Sequence, residues 1–193
     1  MENWPIIPGK YEVGNNSASV AIATLNNDFS FDAKYVAISG RIMTENLGVT
    51  RIICNVLSNP NIRYLVLCGK EVHGHFPGDA LVSFYNKGYE LSKLGVITIK
   101  DTKAADPRLP IKPECIEEVH KRLKRQITLV DLIGESNMEI INGKISECVT
   151  SAVSPLDFPY IVELKTEGEK VAINDDVAVY SKVRINHNLV NRR

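Results

Sequence analysis

The 193-residue chain has no surplus of charge, no long apolar run and no paired-cysteine motif. Each absence removes a class of function. The 23 Lys and Arg residues balance 23 Asp and Glu residues, so no net field draws the chain to nucleic acid or to an anionic membrane surface. The terminal pair Arg192-Arg193 is too short to change that. No window approaches the roughly 18 consecutive apolar residues of a membrane-spanning helix. The start, Met1-Glu2-Asn3-Trp4-Pro5, lacks the basic-then-apolar pattern of a secretion signal, so a cytoplasmic protein is expected. Cys54, Cys68, Cys115 and Cys148 are irregularly spaced, with no Cys-x-x-Cys pair. They read as reduced thiols and as small buried hydrophobes. There is no internal repeat and no low-complexity segment. What remains is ordinary globular composition, 44% hydrophobic and 24% charged, in a length that suits one domain with a small appendage.

Residues 1–16 are rich in Pro, Gly and Asn and are expected to form an irregular lead-in. Two short apolar runs, Val20 to Leu25 and Lys34 to Ser39, predict buried strands. From Leu47 the apolar positions Leu47, Ile52, Ile53, Val56 and Leu57 recur at helical spacing, and Asn59-Pro60 ends that helix. Ile62 to Cys68 is nearly continuously apolar, the pattern of a central strand covered on both faces. A loop from Gly69 to Gly78 follows, then a helix expected over Asp79 to Leu91 and a strand over Val96 to Ile99. Residues 101–113 are polar and hold three prolines, and predict a loop. Glu114 to Leu132 carries an amphipathic stripe and predicts one helix. Strands alternating with helices point to an α/β fold with a mainly parallel sheet flanked by helices. Beyond about residue 145, short strand-like runs at Tyr160 to Leu164, Lys170 to Ile173 and Ala178 to Val183 predict a small β-rich C-terminal appendage. The expected division is therefore 1–145 for the α/β domain and 146–193 for the extension.

The loop Gly69-Lys70-Glu71-Val72-His73-Gly74-His75-Phe76-Pro77-Gly78 carries the chemistry. Ligands in parallel α/β sheets bind beyond the carboxyl ends of strands, and this loop lies at such an end. Its glycines permit close approaches that side chains would block. Three readings of its histidines stand side by side. They are solvated loop residues, or zinc ligands with Glu71 or a distant His120 as partners, or one of them is an axial ligand to cobalt in a corrin. The last needs a single imidazole, because the macrocycle supplies four equatorial nitrogens. His75-x-x-Gly78 resembles the His-x-x-Gly core of the cobalamin motif in which histidine displaces the dimethylbenzimidazole base. That motif carries Asp two residues earlier, where this chain has His73, and its later Ser-x-Leu and Gly-Gly elements are missing here.

Longer matches point the same way. They are the run from Trp4 to Asn15, then Thr44-Glu45-Asn46-Leu47-Gly48, Asn55 to Arg63, and Cys68-Gly69-x-Glu71-Val72-x-Gly74-His75-x-x-Gly78. Arg125-Gln126 and Leu129-Val130-Asp131-Leu132 complete the set. With these the chain resembles the A-subunit of tetrahydromethanopterin S-methyltransferase, the corrinoid-carrying component of a methanogen membrane complex. The resemblance implies a Rossmann-like domain holding a corrinoid (cobalamin) cofactor, with His75 as lower axial ligand to cobalt. It implies a methyl carrier of one-carbon metabolism and methanogenesis, with cobalt cycling between cobalt(I) and methyl-cobalt(III). The methyl group would come from a tetrahydropterin-type donor and pass to an acceptor thiol on a partner methyltransferase subunit. Gly69, Glu71, His73, Gly74 and Gly78 are expected around the cofactor, with Glu71 or His73 orienting the His75 ring. Thr44, Glu45, Asn46, Asn55, Ser58 and Asn59 are candidate polar contacts to the corrin amides or its nucleotide tail. Two features depart from the family: Asp79 replaces a usual Gln, and residues 101–113 differ from a shorter loop. The family ends in a transmembrane helix where this chain has its polar extension, so a soluble relative without the membrane anchor is expected. A zinc-dependent hydrolase using His73 and His75, and a regulatory module that kept the fold but lost the cofactor, are the alternatives.

Overall fold

The computed structural model describes residues 4–151 and 153–165. In chain order the elements are β1 (Tyr11–Val13), β2 (Val20–Thr24), β3 (Val36–Gly40), α1 (Leu47–Leu57), β4 (Tyr64–Gly69), α2 (Pro77–Lys87), β5 (Tyr89–Leu91), β6 (Ile97–Ile99), β7 (Arg108–Leu109), α3 (Ile116–Gln126), β8 (Thr128–Ile133) and α4 (Met138–Thr150). The main sheet has the order β1-β3-β2-β4-β8. Strands β3, β2, β4 and β8 run parallel, and β1 closes one edge antiparallel to β3. Strands β5, β6 and β7 form a separate antiparallel sheet.

The central strands are apolar throughout because helices cover both faces. Successive side chains of a strand point to opposite faces. Ala21, Ala23, Leu65 and Leu67 therefore face one core with Ile53 and Leu57 of α1, Leu81 and Phe84 of α2, and Val119 and Leu123 of α3. Val20, Ile22, Tyr64, Val66 and Cys68 face a smaller core with Ile141, Ile145 and Cys148 of α4. None of the described helices is long and apolar enough to cross a membrane.

Four expectations are corrected. The helix expected over Glu114 to Leu132 is two elements. Ile127 is extended, α3 ends before it, and β8 pairs with β4 from Tyr64↔Thr128 to Gly69↔Ile133. Leu129 and Ile133 pack toward α1–α3 while Val130 and Leu132 pack toward α4. A strand with two covered faces and a helix stripe share such positions over so short a span. The helix expected to reach Leu91 ends at Lys87, where Gly88 takes φ +79°, and Tyr89–Leu91 turns into β5. The loop expected over 101–113 contains β7. The lead-in is not irregular throughout: β1 pairs Tyr11 with Gly40, and the Asn55 side chain bonds both the N–H and the carbonyl of Ile7, at 2.8 and 2.9 Å.

The boundary expected between residues 145 and 146 falls inside α4. Residues 160–165 return to the body of the chain, with an Ile111↔Leu164 bridge flanked by Lys112 N–H to Glu163 and Lys165 N–H to Pro110. The runs Lys170 to Ile173 and Ala178 to Val183 lie outside the described residues.

Gln126 joins the layers. It is buried at 1% exposure, and its amide donates to the carbonyls of Val56 and Asn59 at 2.9 Å each and of Ile62 at 3.3 Å. These carbonyls lie where α1 ends and the chain turns toward β4; those of Val56 and Asn59 also accept from the N–H groups of Asn59 and Ile62. Gln126→Leu should lower stability by about 1–3 kcal/mol by removing these buried hydrogen bonds, a loss that urea denaturation followed by circular dichroism will register.

Candidate functional site

The carboxyl ends of β2, β3, β4 and β8 converge on one edge of the main sheet. β2 is followed along the chain by β3 on one side and later by β4 on the other, so the strand order reverses between β2 and β4. Such a reversal opens a crevice in α/β sheets. Asn26 and Asn27 leave β2 there. Asn26 N–H donates to the Lys70 carbonyl, and Asn27 Oδ1 accepts from Lys70 N–H at 2.7 Å. Gly69 has φ +87°, and a Cβ at that position would stand 2.7 Å from Asn27 Oδ1.

The loop after Gly69 is folded around Glu71. Its carboxylate accepts from the N–H groups of Val72 and Gly78 at 3.1 Å each, and of Asp79 at 2.9 Å. Gly78 and Asp79 are in the first turn of α2, whose preceding residue, Phe76, is left-handed at φ 46° and has no capping side chain. Glu71 thus supplies from upstream what an N-cap side chain normally supplies, and its charge suits the positive end of the helix. The role expected of Glu71 as orienter of His75 is corrected accordingly. His73 packs against the Phe76 ring at 5.7 Å between centroids. It does not serve as orienter either.

The partner of His75 is Glu45. His75 Nδ1 stands 2.9 Å from Glu45 Oε2, and the imidazole is 54% exposed while the Glu45 side chain is 3% exposed. The other carboxylate oxygen, Oε1, accepts from Asp106 N–H at 2.9 Å. In the neutral ring, the nitrogen facing a carboxylate oxygen carries the hydrogen and donates, and Nε2, at the open end, is the nitrogen with the lone pair. The carboxylate absent two residues before His75 is therefore supplied from 30 residues upstream. Local sequence gives no signal for that pairing.

The Glu45 contact brings together three loops, and the features that depart from the resembled family touch each other within it. Asp79 Oδ2 accepts from the Thr102 hydroxyl and from Lys103 N–H, both at 2.7 Å, fixing the 101–106 segment that offers Asp106 to Glu45.

The remaining expected contacts divide. Thr44 Oγ1 accepts from Gly48 N–H at 3.0 Å and Asn46 accepts from Leu47 N–H, so both cap α1. Ser58 donates to the Asn55 carbonyl, and Asn59 to Asn16, at the far end of α1. Their polar groups are spent within the fold, as are those of the Asn55 side chain. Gly74 has φ +86° with open space around it. The described residues hold no group of three or more His, Cys, Asp or Glu side chains arranged for a metal ion, so among them a zinc site at His73 and His75 finds no third ligand.

Two cavities lie along the β2–β3 side of the sheet. One of about 400 Å³ lies between α1 and the β2–β3 strands, with Thr44 in its wall. The other, of about 560 Å³, lies over the ends of β2 and β3 at Thr24 and Ser39. Lys10, Tyr11, Gly40, Arg41 and Met43 line both.

Comparison with known proteins gives the family. The family model for the A-subunit of tetrahydromethanopterin S-methyltransferase matches residues 1–172. The chain is 32% identical over 188 residues to the tetrahydromethanopterin S-methyltransferase A-subunit of Methanosphaera stadtmanae, covering 93% of this chain and 73% of that protein. Methanobrevibacter ruminantium has two such A-subunits, numbered 1 and 2. To the one numbered 2 the chain is 37% identical over 150 residues, covering 77% of this chain and 75% of that protein. To the one numbered 1 the identity is 36%, and the chain spans 59% of that protein. With a matched span running from the lead-in through α4, the chain belongs to the A-subunit family of tetrahydromethanopterin S-methyltransferase.

Proposed function

We propose that this protein is a corrinoid-binding methyl carrier of Rossmann-like architecture, in which His75 Nε2 is the lower axial ligand to cobalt. The observation that carries the reading is the His75–Glu45 pair: an exposed imidazole with one nitrogen held by a buried carboxylate and the other open. A single oriented histidine fits a metal whose other positions are filled by a macrocycle, and does not fit a metal needing three or four protein ligands. Carboxylates behind metal-bound histidines fix the ring's tautomer and direction, and Glu45 is placed for that task. Its second bond, to Asp106 N–H, keeps the carboxylate from turning away.

A bound corrinoid supplies the cobalt centre that accepts a methyl group and releases it to a thiolate. The protein's part is binding, orientation and exclusion of water. The methyl donor is of tetrahydropterin type and the acceptor thiol lies on a partner methyltransferase component, in the sense that the names of the relatives suggest. The chain's own thiols suit that division. Burial pushes the Cys54 and Cys68 thiols up to about 12, and burial raises Cys115 and Cys148 as well. A thiol held protonated is a poor nucleophile. Cys68 is the last residue of β4 but one, beside the site loop, yet it is fully buried. Four free cysteines also suit a reducing cytoplasm.

The test is retention. The purified chain, incubated with hydroxocobalamin and desalted, should keep about one corrinoid per chain, read from its visible absorption and from cobalt analysis. A protein that elutes colourless is a regulatory relative without the cofactor, and the proposal fails.

A further inference from the structure

The amino end of the main sheet, opposite the loop of His75, gathers charge that the axial site does not use. Arg63 stands just before β4, and Arg122 and Arg125 lie near the end of α3. Arg63 Nε donates to the Gln126 carbonyl at 2.8 Å, and Arg122 Nε to Gln126 Oε1 at 2.9 Å. Their outer nitrogens reach the segment that follows α4: Arg63 Nη1 donates to the Ser154 carbonyl and Arg122 Nη2 to the Phe158 carbonyl. All four acceptors are neutral. Among the described residues none of the three arginines forms an ion pair, not even with Asp157 beside Phe158. The neighbouring lysines are matched instead: Lys121 pairs with Glu117, and Lys124 lies over the Tyr85 ring at 3.9 Å. Burial, then the Arg125 and Arg63 charges, press Arg122 below the ordinary arginine range, while Glu118 and Tyr160 oppose them. In a chain whose charges balance, this is a local excess of one sign. The same segment adds an apolar group. Its backbone is tied on both sides of Phe158, by Leu156 N–H to the Pro60 carbonyl at 3.1 Å and Tyr160 N–H to the Leu57 carbonyl at 2.9 Å. Phe158 is nevertheless 74% exposed. An aromatic ring on a fixed backbone has lost part of its ordering entropy before any partner arrives.

We propose that Arg63, Arg122, Arg125 and Phe158 form a docking surface for an acidic segment of another protein, which sets an aliphatic side chain on the Phe158 ring and carboxylates on the guanidinia. Arginine and aromatic residues are the types that protein interfaces concentrate, and a guanidinium fork matches a carboxylate at two points. The excess positive charge selects the sign of the partner. The position of the surface selects its use. Arg63 and Thr128 stand at the amino ends of β4 and β8, joined by Thr128 N–H to the Arg63 carbonyl at 2.8 Å, and the His75 loop follows the carboxyl end of β4. A partner seated on the arginines therefore leaves the His75 end of the sheet open. The surface stands whether or not a corrinoid binds at that end.

The experiment titrates the full chain, labelled with 15N, with a capped synthetic peptide of glutamates around one leucine, and follows backbone amides and arginine Nε–H groups by nuclear magnetic resonance. Matching peptides carry lysines for the glutamates or serine for the leucine, and inorganic phosphate is a further probe. The variants are Arg125→Gln and Phe158→Ser, both at exposed positions, checked for folding by circular dichroism. The glutamate–leucine peptide should shift the Nε–H groups of the three arginines and the backbone around Phe158, and raised salt should weaken it. Arg125→Gln should weaken it about tenfold. Phe158→Ser should weaken it about as much and leave the serine peptide unaffected. The lysine peptide should not bind. Absence of binding, or binding indifferent to both variants, overturns the surface. Phosphate that gives the same shifts at the same affinity makes it a small-anion site, and overturns it too. So does a peptide that binds only when Glu167→Gln, Glu169→Gln, Asp175→Asn and Asp176→Asn are combined, since the chain's own C-terminal acids are then the occupant.

Discussion

His75→Ala should abolish the axial bond while leaving the fold intact. The side chain is more than half exposed and its one bond in the described structure is to Glu45, so its removal opens no cavity in the core. Its effect should fall on the metal. Loss of a carboxylate behind a metal-bound histidine costs about 10–100-fold in affinity, and loss of the ligating ring should cost more than that. Corrinoid bound to wild-type protein, reduced to cobalt(II), should give an electron paramagnetic resonance spectrum split into triplets by one axial nitrogen. In protein grown on 15N-histidine the triplets should become doublets, because the splitting nucleus belongs to the chain and not to the cofactor's base. In His75→Ala the isotope should have no effect. A wild-type spectrum indifferent to the label ends the assignment. Glu45→Gln is the graded companion. It keeps an acceptor toward His75 and loses the charge, so the labelled splitting should survive while retention falls by about 10-fold or more.

Much of this site was legible in the sequence, and the part that was not has one physical character. The strand Tyr64–Gly69 and the glycine-rich loop after it follow from composition alone, since a strand buried on both faces has little choice of residue. His75 follows from its glycine neighbours and the resemblance. Glu45 was among the expected contacts for a different reason, and its pairing with His75 spans 30 residues that no local pattern connects. The same holds for Asn55, which a reading of polar residues near a pocket offers to the ligand but which the backbone of Ile7 claims. Strand β8 was concealed because Ile127 and Val130 continue the helical spacing of Leu123 while Val130 and Leu132 alternate as in a strand, and the deciding interaction is pairing with β4, 64 positions away from Tyr64 to Thr128. Local chemistry announced elements and reactive residue types. The partners that orient them come from topology.

Gly78 should prove less tolerant than Gly74, and for a different reason. A Cβ on Gly78 would stand 2.8 Å from Glu71 Oε2, 2.9 Å from Leu25 Cδ2 and 3.0 Å from Ile133 Cδ1. Leu25 is buried, and the Glu71 carboxylate is held by three backbone N–H groups. Gly78→Ala must therefore displace the cap of α2 or overpack the core beneath it, at about 1–3 kcal/mol, and the displaced loop should carry His75 away from Glu45. Gly74→Ala meets nothing within 4 Å, and its cost is only that of φ +86°, about 1–2 kcal/mol. A double-mutant cycle separates the mechanisms. If Gly78→Ala acts by pushing Glu71 aside, its cost in Glu71→Ala should be smaller than in the wild type, by about 0.5 kcal/mol or more. Gly74→Ala, which touches no part of the cap, should add to Glu71→Ala without interaction. Urea midpoints at constant slope measure each step, and an additive cycle for Gly78 would mean that the crowding falls on Leu25 and Ile133 instead of on the cap.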